Sequence, residues 1–422
     1  MKVLLLGSGG REAALAWKMA QSPLVKQIVI CPGNGGMVEI SPKVSLLNVK
    51  ESSVFLEHNF DLVVVGPEAC LAEGIVDFFE QHKVLVVGPS LAASKLESSK
   101  EFCKEILNAG DIPTARHKTV TTLQDGLKVI ENWPVEEMVI KVDALAQGKG
   151  VVVAGNKKEA TEALTDFFSG KYLGYAVEKI VIEEMIQGHE ASAFALCDGE
   201  NFVYLGSATD YKRINDGDQG PNTGGMGTVS PAPFLTRKDE DWVKHHVFSP
   251  LMKVMKLRGH PFKGFLFAGL MKSPKGFSVL EFNVRLGDPE TQSLLPRMQG
   301  DIVPLLIASA KGNLKSIDYV EAPSDLHALH VVMTAKGYPG VNGEPLQKGD
   351  LISVGKLSSD SLFFPAAVSR DEKGLFTNGG RICGITCVGK SLREVRAHTY
   401  GEVAKIHFAG AHYRKDIGEK FL

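Results

Sequence analysis

Four short apolar runs in the first hundred residues constrain the fold of this chain more than any other feature. They are VLLL (3–6), IVIC (28–31), LVVV (62–65) and VLVV (84–87), each followed by Gly or Pro. Helix-like segments such as 11–21 separate the runs, a pattern typical of a parallel sheet built from α/β units. The sequence therefore predicts an open, doubly wound domain whose ligand edge lies at the carboxyl ends of its strands.

The loop after the first run, GSGG (7–10), has part of a dinucleotide-binding fingerprint. The third glycine of that fingerprint would stand at position 12, which is Glu12, and the second strand ends without an acid to hold a ribose. These departures argue against NAD. The backbone amides, the helix dipole and Arg11 instead favour a monophosphate ester. A tight strand-to-helix turn without a ligand is the alternative interpretation.

A strict alternation of polar and apolar residues marks the segment VLEFNVRLGDPETQ (279–292). Glu281, Asn283 and Arg285 share one parity, and the other parity holds Leu280, Phe282, Val284 and Leu286. A strand here turns the polar set to one face and the apolar set to the core. Acid and amide oxygens at this spacing suit Mg²⁺ on nucleotide phosphates, unless the polar face is simply solvated. The preceding run, GFLFAGLMK (264–272), predicts the other strand of a hairpin.

Three further strand patterns surround a helical segment at 157–168 and predict a small α+β lobe. They are EEMVIKVD (136–143), KGVVVAG (149–155) and KIVIEEMI (179–186). Lys141 on the first strand and the Gly-Lys-Gly loop at 148–150 suit a polyphosphate, although a surface turn is the alternative for the loop. Backbone groups near 184–186 suit an adenine, and Glu190 suits ribose hydroxyls.

Charge and composition exclude several function classes. Lys and Arg number 47 against 49 Asp and Glu, so the net charge of −2 provides no field for nucleic acid or an anionic membrane. The first apolar run is too short for a signal segment, and no uncharged stretch approaches the roughly 20 residues of a membrane span. The six cysteines lack CxxC spacing and the twelve histidines lack an HExxH pair. We expect a cytosolic protein with reduced thiols, without a transition metal, as a monomer or weak dimer.

Shifts of pattern divide the chain into four predicted regions. Residues 1–99 form the parallel-sheet domain, and residues 100–190 include a small lobe at about 118–187. Residues 191–323 carry the alternating strand, and residues 324–422 form a last domain beyond a linker at 313–326. In that domain LHVVMTA and GRICGITCV precede a helix opened by the capping box Ser391-x-x-Glu394. The predicted fold class is therefore multidomain, with α/β and α+β units.

The order of these features resembles that of the ATP-grasp ligases, in which two α+β lobes clasp ATP. The resemblance narrows to the phosphoribosylamine-glycine ligase family through GSGGREAALAWK (7–18), GPE (66–68), TDYKRINDGDQGPNTGGMGTVSPAP (209–233) and EFNVRLGDPETQ (281–292), and it extends to RKDIG (414–418). It implies a two-lobed ATP-grasp centre that ligates glycine to 5-phospho-D-ribosylamine through glycyl phosphate, in purine biosynthesis. ATP and Mg²⁺ or Mn²⁺ are the implied cofactors.

The same resemblance implies roles for individual residues, matched motif by motif. The phosphate lysines are Lys100 and Lys141, and the closing loop over the nucleotide comprises Gly148, Lys149 and Gly150. The adenine hinge comprises Glu183, Glu184 and Ile186, and the acid that binds the ribose is Glu190. The metal ligands are Glu281 and Asn283. The wall facing glycine and the amino sugar comprises Asp210, Lys212, Arg213, Gly224, Gly225, Arg285, Gly287 and Asp288. Catalysis is expected from Lys141, Arg285, Asp210, Lys212 and Arg213. The amino-sugar pocket comprises Gly9, Gly10, Arg11, Glu12, Gly66, Pro67 and Glu68.

Three residues depart from the family pattern, and three alternative functions stay open. Ala13 replaces a usual histidine, Cys70 a usual proline, and Ala144 a usual glycine. The first change puts one sugar-phosphate contact in doubt, and the third stiffens the closing loop. The alternatives are an ATP-grasp carboxylase or another ligase of purine synthesis, a nicotinamide dehydrogenase, and a nucleotide-binding relative that has lost catalysis. The last would be expected to have lost Glu281, Asn283 or Lys141.

Overall fold

The structure, a computed structural model, describes residues 1–49, 51–144, 150–340 and 344–422. Gly148 and Lys149, two residues of the predicted closing loop, lie outside these ranges. Within them, no helix combines the length and apolar character that crossing a membrane requires. The six cysteines are free thiols, and all but Cys70 are buried.

The N-terminal domain is the predicted doubly wound sheet. Its elements are β1 (Lys2–Gly7), α1 (Gly10–Ala20), β2 (Gln27–Pro32), β3 (Val44–Leu46), β4 (Leu62–Val65), α2 (Glu68–Ala72), α3 (Ile75–Gln81), β5 (Val86–Val87) and α4 (Leu91–Ser98), with 3₁₀ turns at Met37–Glu39 and Ser52–His58. The strands are parallel in the order β3-β2-β1-β4-β5. Successive residues of β1 pack into two different cores because both faces of a parallel sheet are covered.

The segment LAASKLESSKEFCKEIL (91–107) has a single helical pattern in the sequence, but in the structure it forms two helices. Ser99 interrupts it, because its side chain accepts a hydrogen bond from Phe102 N and caps a new helix, α5 (Lys100–Ala109). Asp143 strengthens the break by accepting hydrogen bonds from the backbone amides of Lys100 and Glu101. The break therefore places Lys100 at a helix N-terminus that faces the small lobe.

The small lobe has its own core and its own antiparallel sheet. Its elements are β6 (His117–Val120), α6 (Leu123–Glu131), β7 (Met138–Val142), β8 (Val151–Ala154), α7 (Lys157–Phe168) and β9 (Ile180–Glu184). The strand order is β6-β9-β7-β8, and α7 has the predicted bounds. Buried apolar residues of the sheet and both helices form a cluster that is separate from the other cores.

The body of the molecule is built on long antiparallel strands. Its elements are β10 (His189–Asp198), β11 (Phe202–Asp210), β12 (Arg213–Asn215), β13 (Gln219–Asn222), β14 (Gly227–Ser230), α8 (Arg237–Val243), a π-helical turn (Lys244–Phe248), α9 (Ser249–Leu257), β15 (Lys263–Ser273), β16 (Gly276–Asn283), α10 (Thr291–Arg297) and α11 (Ile302–Lys311), with 3₁₀ turns at Asp216–Asp218 and Leu314–Ser316. Strands β15 and β16 form the predicted hairpin.

A bulge changes the predicted alternation of the second hairpin strand. Glu281 pairs with Gly269 and Val279 pairs with Leu270, so Leu280 has no partner on β15. Val279 and Phe282 then lie in the core, whereas Leu280 lines a cavity beside Glu281. The prediction that Leu280 faces the core was therefore wrong, because the extra residue moves it to the polar face.

The C-terminal strands continue the sheet of the body. Strand β14 pairs with β17 (His327–Thr334), which gives an eight-stranded order of β16-β15-β10-β11-β14-β17-β22-β19. The remaining elements are β18 (Leu351–Val354), β19 (Ser361–Pro365), β20 (Val368–Asp371), β21 (Gly374–Thr377), β22 (Arg381–Gly389), α12 (Leu392–Val403), β23 (Ile406–His407) and a 3₁₀ turn at Glu419–Phe421. Ser391 caps α12 through Glu394 N. This continuity brings C-terminal side chains close to the body's site.

Candidate active site

A cavity lies between the small lobe and the body. Its lining comes from α2, α4, α5, β7, β8, β9 and β16 and from loops of the small lobe and the body, and consists of Glu68, Leu96, Glu97, Lys100, Cys103, Lys104, Lys141, Ala144, Gly150, Val151, Glu183, Leu280, Glu281, Phe282, Asn283 and Arg285. Apolar side chains and four basic ones share this surface. Such a combination suits a ligand with an apolar ring and an anionic tail.

Two lysines in this cavity share one buried carboxylate. Lys141 Nζ lies 2.9 Å from Glu183 Oε2, and Lys104 Nζ lies 3.1 Å from Glu183 Oε1. All three side chains are at least nine-tenths buried. Lys141 also donates to the carbonyl of the bulged Leu280 at 3.4 Å. Glu183 therefore orients Lys141 towards β16, and its carboxylate is not free to contact an adenine.

Lys104 links the lobe to the body. Its Nζ donates to Thr114 Oγ1 at 2.7 Å, and that hydroxyl donates to the Val279 carbonyl at 2.7 Å. Burial lowers the pKa of Lys104, although Glu183 opposes the shift. The sequence prediction missed this residue, because a lysine in a helical run gives no sign of which way it faces.

Glu281 and Asn283 provide oxygen donors on the cavity side of β16. The Glu281 side chain reaches solvent, and although the surrounding cavity wall partly desolvates it, the charges of Lys212, Lys141, Lys100 and Arg285 hold the pKa of the carboxyl below its usual value. In the described residues the Asn283 side chain makes no hydrogen bond, and both residues line the cavity. No group of three or more His, Cys, Asp or Glu that could enclose a metal occurs in the described ranges. Two hard oxygen donors fit Mg²⁺ that takes its remaining ligands from phosphates and water.

Arg285 joins the hairpin to the N-terminal domain. Its Nε lies 3.1 Å from Glu68 Oε2, and its Nη2 lies 3.3 Å from Glu97 Oε1. Burial disfavours the charged guanidinium, but these two carboxylates outweigh that effect and raise the pKa of Arg285. Glu97 also accepts a hydrogen bond from Val284 N at 2.7 Å. The guanidinium thus has two carboxylate partners, of which only Glu68 was among the predicted site residues.

A second cavity opens at the predicted edge of the parallel sheet. It is lined by Leu6, Gly7, Ser8, Gly9, Arg11, Glu12, Cys31, Pro32, Val49, Ser52, Phe55, Pro67, Cys70, Glu73, Gly74, Ile75, Phe78 and Asp288. Glu12 accepts a hydrogen bond from Gly9 N at 2.7 Å and lies 2.6 Å from Arg11 Nε. The Glu12 carboxylate therefore already binds the Gly9 amide at the N-terminus of α1, in the place where the sequence predicted a phosphate ester.

The glycines around Glu12 make room for its carboxylate. A Cβ on Gly66 would lie 2.0 Å from Glu12 Oε1, and a Cβ on Gly7 would lie 2.5 Å from Glu12 Cδ. Gly10 similarly leaves space for the amide of Gln292, which a Cβ would approach to 2.4 Å. These glycines serve close packing of α1 against the GPE and GDPE loops.

We expect Gly66→Ala to destabilise the protein by about 1–3 kcal/mol, because the methyl group would displace the carboxylate of Glu12. Urea denaturation measures the change. The control is Gly401→Ala, in α12, where a Cβ would meet nothing within 4 Å. That variant is expected to be unchanged or slightly stabilised. Equal stability of both variants would contradict the packing role of Gly66.

Asp288 connects the second cavity with the body and the C-terminal strands. Its carboxylate accepts from Arg11 N at 3.4 Å and from Gln292 Nε2 at 2.8 Å, and it lies 3.4 Å from Arg381 Nη2. Burial opposes ionisation, but Arg381 and Arg11 lower the pKa of Asp288. Arg381 also donates to the Gly224 carbonyl at 2.5 Å. Arg381 was not predicted, because it lies more than ninety residues beyond the motif that it contacts.

The predicted glycine-facing wall is partly assembled around two acids, the half-buried Asp210 and the buried Glu290. Among the residues that the structure describes, Asp210 Oδ1 has no hydrogen-bond partner, and it lies under Gly225, whose Cβ would approach it to 2.8 Å. Burial, and then the charge of Glu290, raise the pKa of Asp210. A Cβ on Gly287 would lie 2.3 Å from Glu290 Oε2. Glu290 is thus a further residue of this wall that the prediction omitted, although the GDPE motif contains it.

The remaining predicted residues are more exposed. Lys212 forms an ion pair with Glu190. Partial desolvation of its exposed ammonium opposes the shift, but Glu190, Asp210 and Glu281 raise the pKa of Lys212. Arg213 turns back onto its own hairpin and donates to Gly220 O at 2.7 Å. Glu184 and Ile186 lie partly exposed where β9 ends, at the mouth of the lobe.

The three departures from the family pattern have different environments. Ala13 is fully buried in the core beneath α1, so it does not face the second cavity. Cys70 lines that cavity, and burial raises the pKa of its thiol. The Ala144 carbonyl accepts from Lys100 Nζ at 3.4 Å. Of the two departures in the N-terminal domain, Cys70 lines the second cavity and Ala13 does not.

The fold and the site together define an ATP-grasp protein. The biotin carboxylase domain of Hydrogenobacter thermophilus 2-oxoglutarate carboxylase, solved with MgADP, has a TM-score of 0.76 at 15% identity, covering 97% of this chain and 91% of that one. At this identity the likeness shows the fold alone.

Sequence comparisons identify the family. Residues 1–97, 98–291 and 328–420 match the N, ATP-grasp (A) and C domains of phosphoribosylglycinamide synthetase. A Leptospira interrogans protein named phosphoribosylamine-glycine ligase is 41% identical over 430 residues, covering 100% of this chain and 99% of the relative. The crystal structure of the ligase of that name from Thermotoga maritima has a TM-score of 0.86 at 32% identity, covering 99% and 100%. The chain therefore belongs to the phosphoribosylglycinamide synthetase family, which confirms the resemblance and the predicted fold class.

Proposed function

We propose that this chain uses ATP to ligate glycine to 5-phospho-D-ribosylamine, with N1-(5-phospho-D-ribosyl)glycinamide, ADP and phosphate as products. One observation carries the proposal: the same two segments line both cavities. Glu68 and Arg285 lie in the cavity between the lobes, while their near neighbours Pro67 and Asp288 line the cavity of the N-terminal domain. A phosphoryl group in the first cavity and an amine in the second would therefore lie close together.

The chemistry requires an activated carboxylate, because joining a carboxylate to an amine is uphill in water. A carboxylate oxygen of glycine attacks the γ-phosphorus of ATP, and the bond to the ADP oxygen breaks, which gives glycyl phosphate. The amine nitrogen of the sugar then attacks the carbonyl carbon, and the bond to phosphate breaks as the amine loses a proton. Both steps join two small molecules, so much of the rate enhancement would come from holding them in register.

The chain's own residues divide this work between them. Lys141, positioned by Glu183, provides a cation for the transferred phosphoryl group, and Lys100 lies in the same cavity. Glu281 and Asn283 would hold Mg²⁺ or Mn²⁺, which when bound neutralises charge on the phosphate oxygens. In the second cavity the carboxylates of Glu12 and Asp288 suit the amine of the sugar. The part assigned to Gly148–Gly150 as a closing loop, to Ile186 in the hinge and to Glu190 as ribose acid remains a prediction.

The proposal is tested by measuring ADP release with glycine and freshly generated phosphoribosylamine. Omission of glycine, or its replacement by L-alanine, is expected to reduce ADP release to background. Omission of the amino sugar is expected to do the same after the first turnover. Continued ADP release without the amino sugar would refute the second substrate, and a response to bicarbonate instead of glycine would indicate a carboxylase. The cytosolic location and the monomeric or weakly dimeric state remain predictions.

A further inference from the structure

The C-terminal segment 412–420, here called the C-terminal clamp, contains one of the most deeply buried charges of the molecule. Arg414 is 1% exposed. Its guanidinium lies 2.8 Å from Asp218 Oδ1 and 2.6 Å from Asp416 Oδ2, and it donates to the Arg213 carbonyl at 3.1 Å. Two of these partners, Asp218 and Arg213, belong to segment 210–225 and lie 196 and 201 residues earlier in the chain. A buried arginine with carboxylates from both segments ties them together.

The clamp also encloses Tyr211, which separates two predicted wall residues, Asp210 and Lys212. The Tyr211 ring is 2% exposed, with the guanidinium of Arg414 at 5.0 Å and the ammonium of Lys420 at 4.9 Å from its centroid. Its hydroxyl accepts a hydrogen bond from Gly418 N at 2.9 Å. Because neighbouring side chains of an extended segment point to opposite sides, anchoring Tyr211 in the clamp directs Asp210 and Lys212 to the other side.

The hairpin that follows Tyr211 depends on the clamp for its support. Strands β12 and β13 form a separate two-stranded sheet, and an isolated two-stranded hairpin is marginally stable in water. The clamp adds hydrogen bonds at the turn between the two strands and on β12. Gly217 N donates to Asp416 Oδ2 at 2.8 Å, and Lys415 N donates to Asp216 Oδ1 at 2.7 Å. His412 Nε2 lies 2.9 Å from the Ile214 carbonyl.

We propose that the C-terminal clamp is a positioning device for the glycine-facing wall, acting through Arg414 and Tyr211. Neither residue lines either of the two cavities, and the clamp acts by fixing Asp210 and Lys212 at the start of the hairpin. At the other end of the hairpin, Thr223 N donates to the Lys212 carbonyl at 2.7 Å, so the same support reaches Gly224 and Gly225. The inference rests on the proposed function in assigning this wall to glycine.

The test compares Arg414→Gln with Arg396→Gln. Arg396 is the matched control because it also holds the clamp, through the Ile417 and Lys415 carbonyls at 3.0 and 2.5 Å, and also stacks on a tyrosine, Tyr400, at 4.9 Å. In the described structure it makes no hydrogen bond or ion pair with segment 210–225. Arg414→Gln is expected to raise KM for glycine about tenfold or more, with KM for ATP changed less than about twofold. Arg396→Gln is expected to change neither by more than about twofold, because the contacts of Arg414 with Asp218 and the Arg213 carbonyl remain and still join the clamp to the wall.

Two further variants keep the test decisive if Arg414→Gln does not fold. Arg414→Lys retains the charge, and its KM for glycine is expected to lie between that of the wild type and that of Arg414→Gln. Tyr211→Phe removes only the hydroxyl and is expected to raise the same KM by a smaller factor. An unchanged glycine KM in folded variants, an equal rise in KM for ATP, or equal effects of Arg414→Gln and Arg396→Gln would overturn the proposal.

Failure of the proposed function would be recognised separately. A wild-type protein that releases no ADP with glycine and the amino sugar refutes that function and leaves the clamp to be tested by hydrogen exchange. Amides of residues 210–225 are then expected to exchange faster in Arg414→Gln than in Arg396→Gln. Equal exchange rates in the two variants would show that the clamp does not hold this segment.

Discussion

Replacing Glu281 by Gln is expected to lower kcat/KM for glycine, measured at saturating ATP, by about 100-fold or more. Part of this loss should be recovered as the Mg²⁺ concentration is raised. The variant keeps the shape of the side chain and removes its charge. Glu281 has four cationic groups around it, which hold its pKa low and keep it ionised. Because the amide is a much weaker ligand for a hard cation, the variant should need more Mg²⁺ for half-maximal rate. Titration of initial rate against Mg²⁺ measures both effects.

The control for this variant is Glu200→Gln. Glu200 is an exposed carboxylate at the far end of the same sheet, where it pairs with Lys256. Its replacement is expected to leave the rate and the Mg²⁺ dependence unchanged, because an exposed ion pair contributes little. Undiminished turnover of Glu281→Gln at every Mg²⁺ concentration would show that the metal site lies elsewhere.

Replacing Glu183 by Gln is expected to lower the free energy of unfolding by about 3 kcal/mol or more, because it leaves two buried lysines beside each other without their shared carboxylate. Urea denaturation, followed by a signal that reports unfolding of the small lobe, measures the loss. The catalytic rate should fall as well, because Lys141 loses the partner that orients it. The matched control is Glu184→Gln, one residue along, where the carboxylate is 38% exposed and lies 4.0 Å from Arg116. That variant should retain its stability.

The stability of Glu183→Gln is also expected to depend on pH in a defined direction. Burial lowers the pKa of Lys104, so in the range just below the ordinary lysine pKa the unfolded chain binds more protons than the folded chain. Stability therefore rises with pH through that range. Loss of Glu183 removes the main charge that opposes this shift. The deficit of the variant, meaning its loss of free energy of unfolding relative to the wild type, should therefore shrink as the pH is raised. A deficit that is constant or grows with pH would contradict the buried-lysine explanation.

Much of the fold could be predicted because it follows local patterns. The four apolar runs each became a strand of one parallel sheet, and the helix predicted at 157–168 has those bounds. Both features depend on periodicity within about twenty residues. The break at Ser99 and the bulge at Leu280 were missed for the opposite reason. The first is supported by Asp143 and the second by pairing with β15, both distant in sequence.

The candidate site shows the same division. Motifs identified Glu281, Asn283, Lys141 and the glycines around Glu12, which the structure brings into two adjoining cavities. The motifs could not show that the Glu183 carboxylate is buried and the Glu184 carboxylate is exposed. Two adjacent glutamates give the same sequence pattern whichever of them points into the protein. Nor could the motifs find Glu97 or Arg381, which contact the motif residues Arg285 and Asp288 from other segments.

Local sequence patterns indicated most of the secondary structure, the order of the domains along the chain and the residue types able to bind phosphate and a divalent cation. These features depend on hydrophobic periodicity and side-chain chemistry, which short stretches of sequence contain. Which charges neutralise one another, and which segment supports which, depends instead on how distant parts of the chain pack. The ion pairs of Glu183 and Arg285, and the contact of Arg414 with residues near 213, arise when distant strands and loops pack together. Burial then makes those pairings energetically decisive.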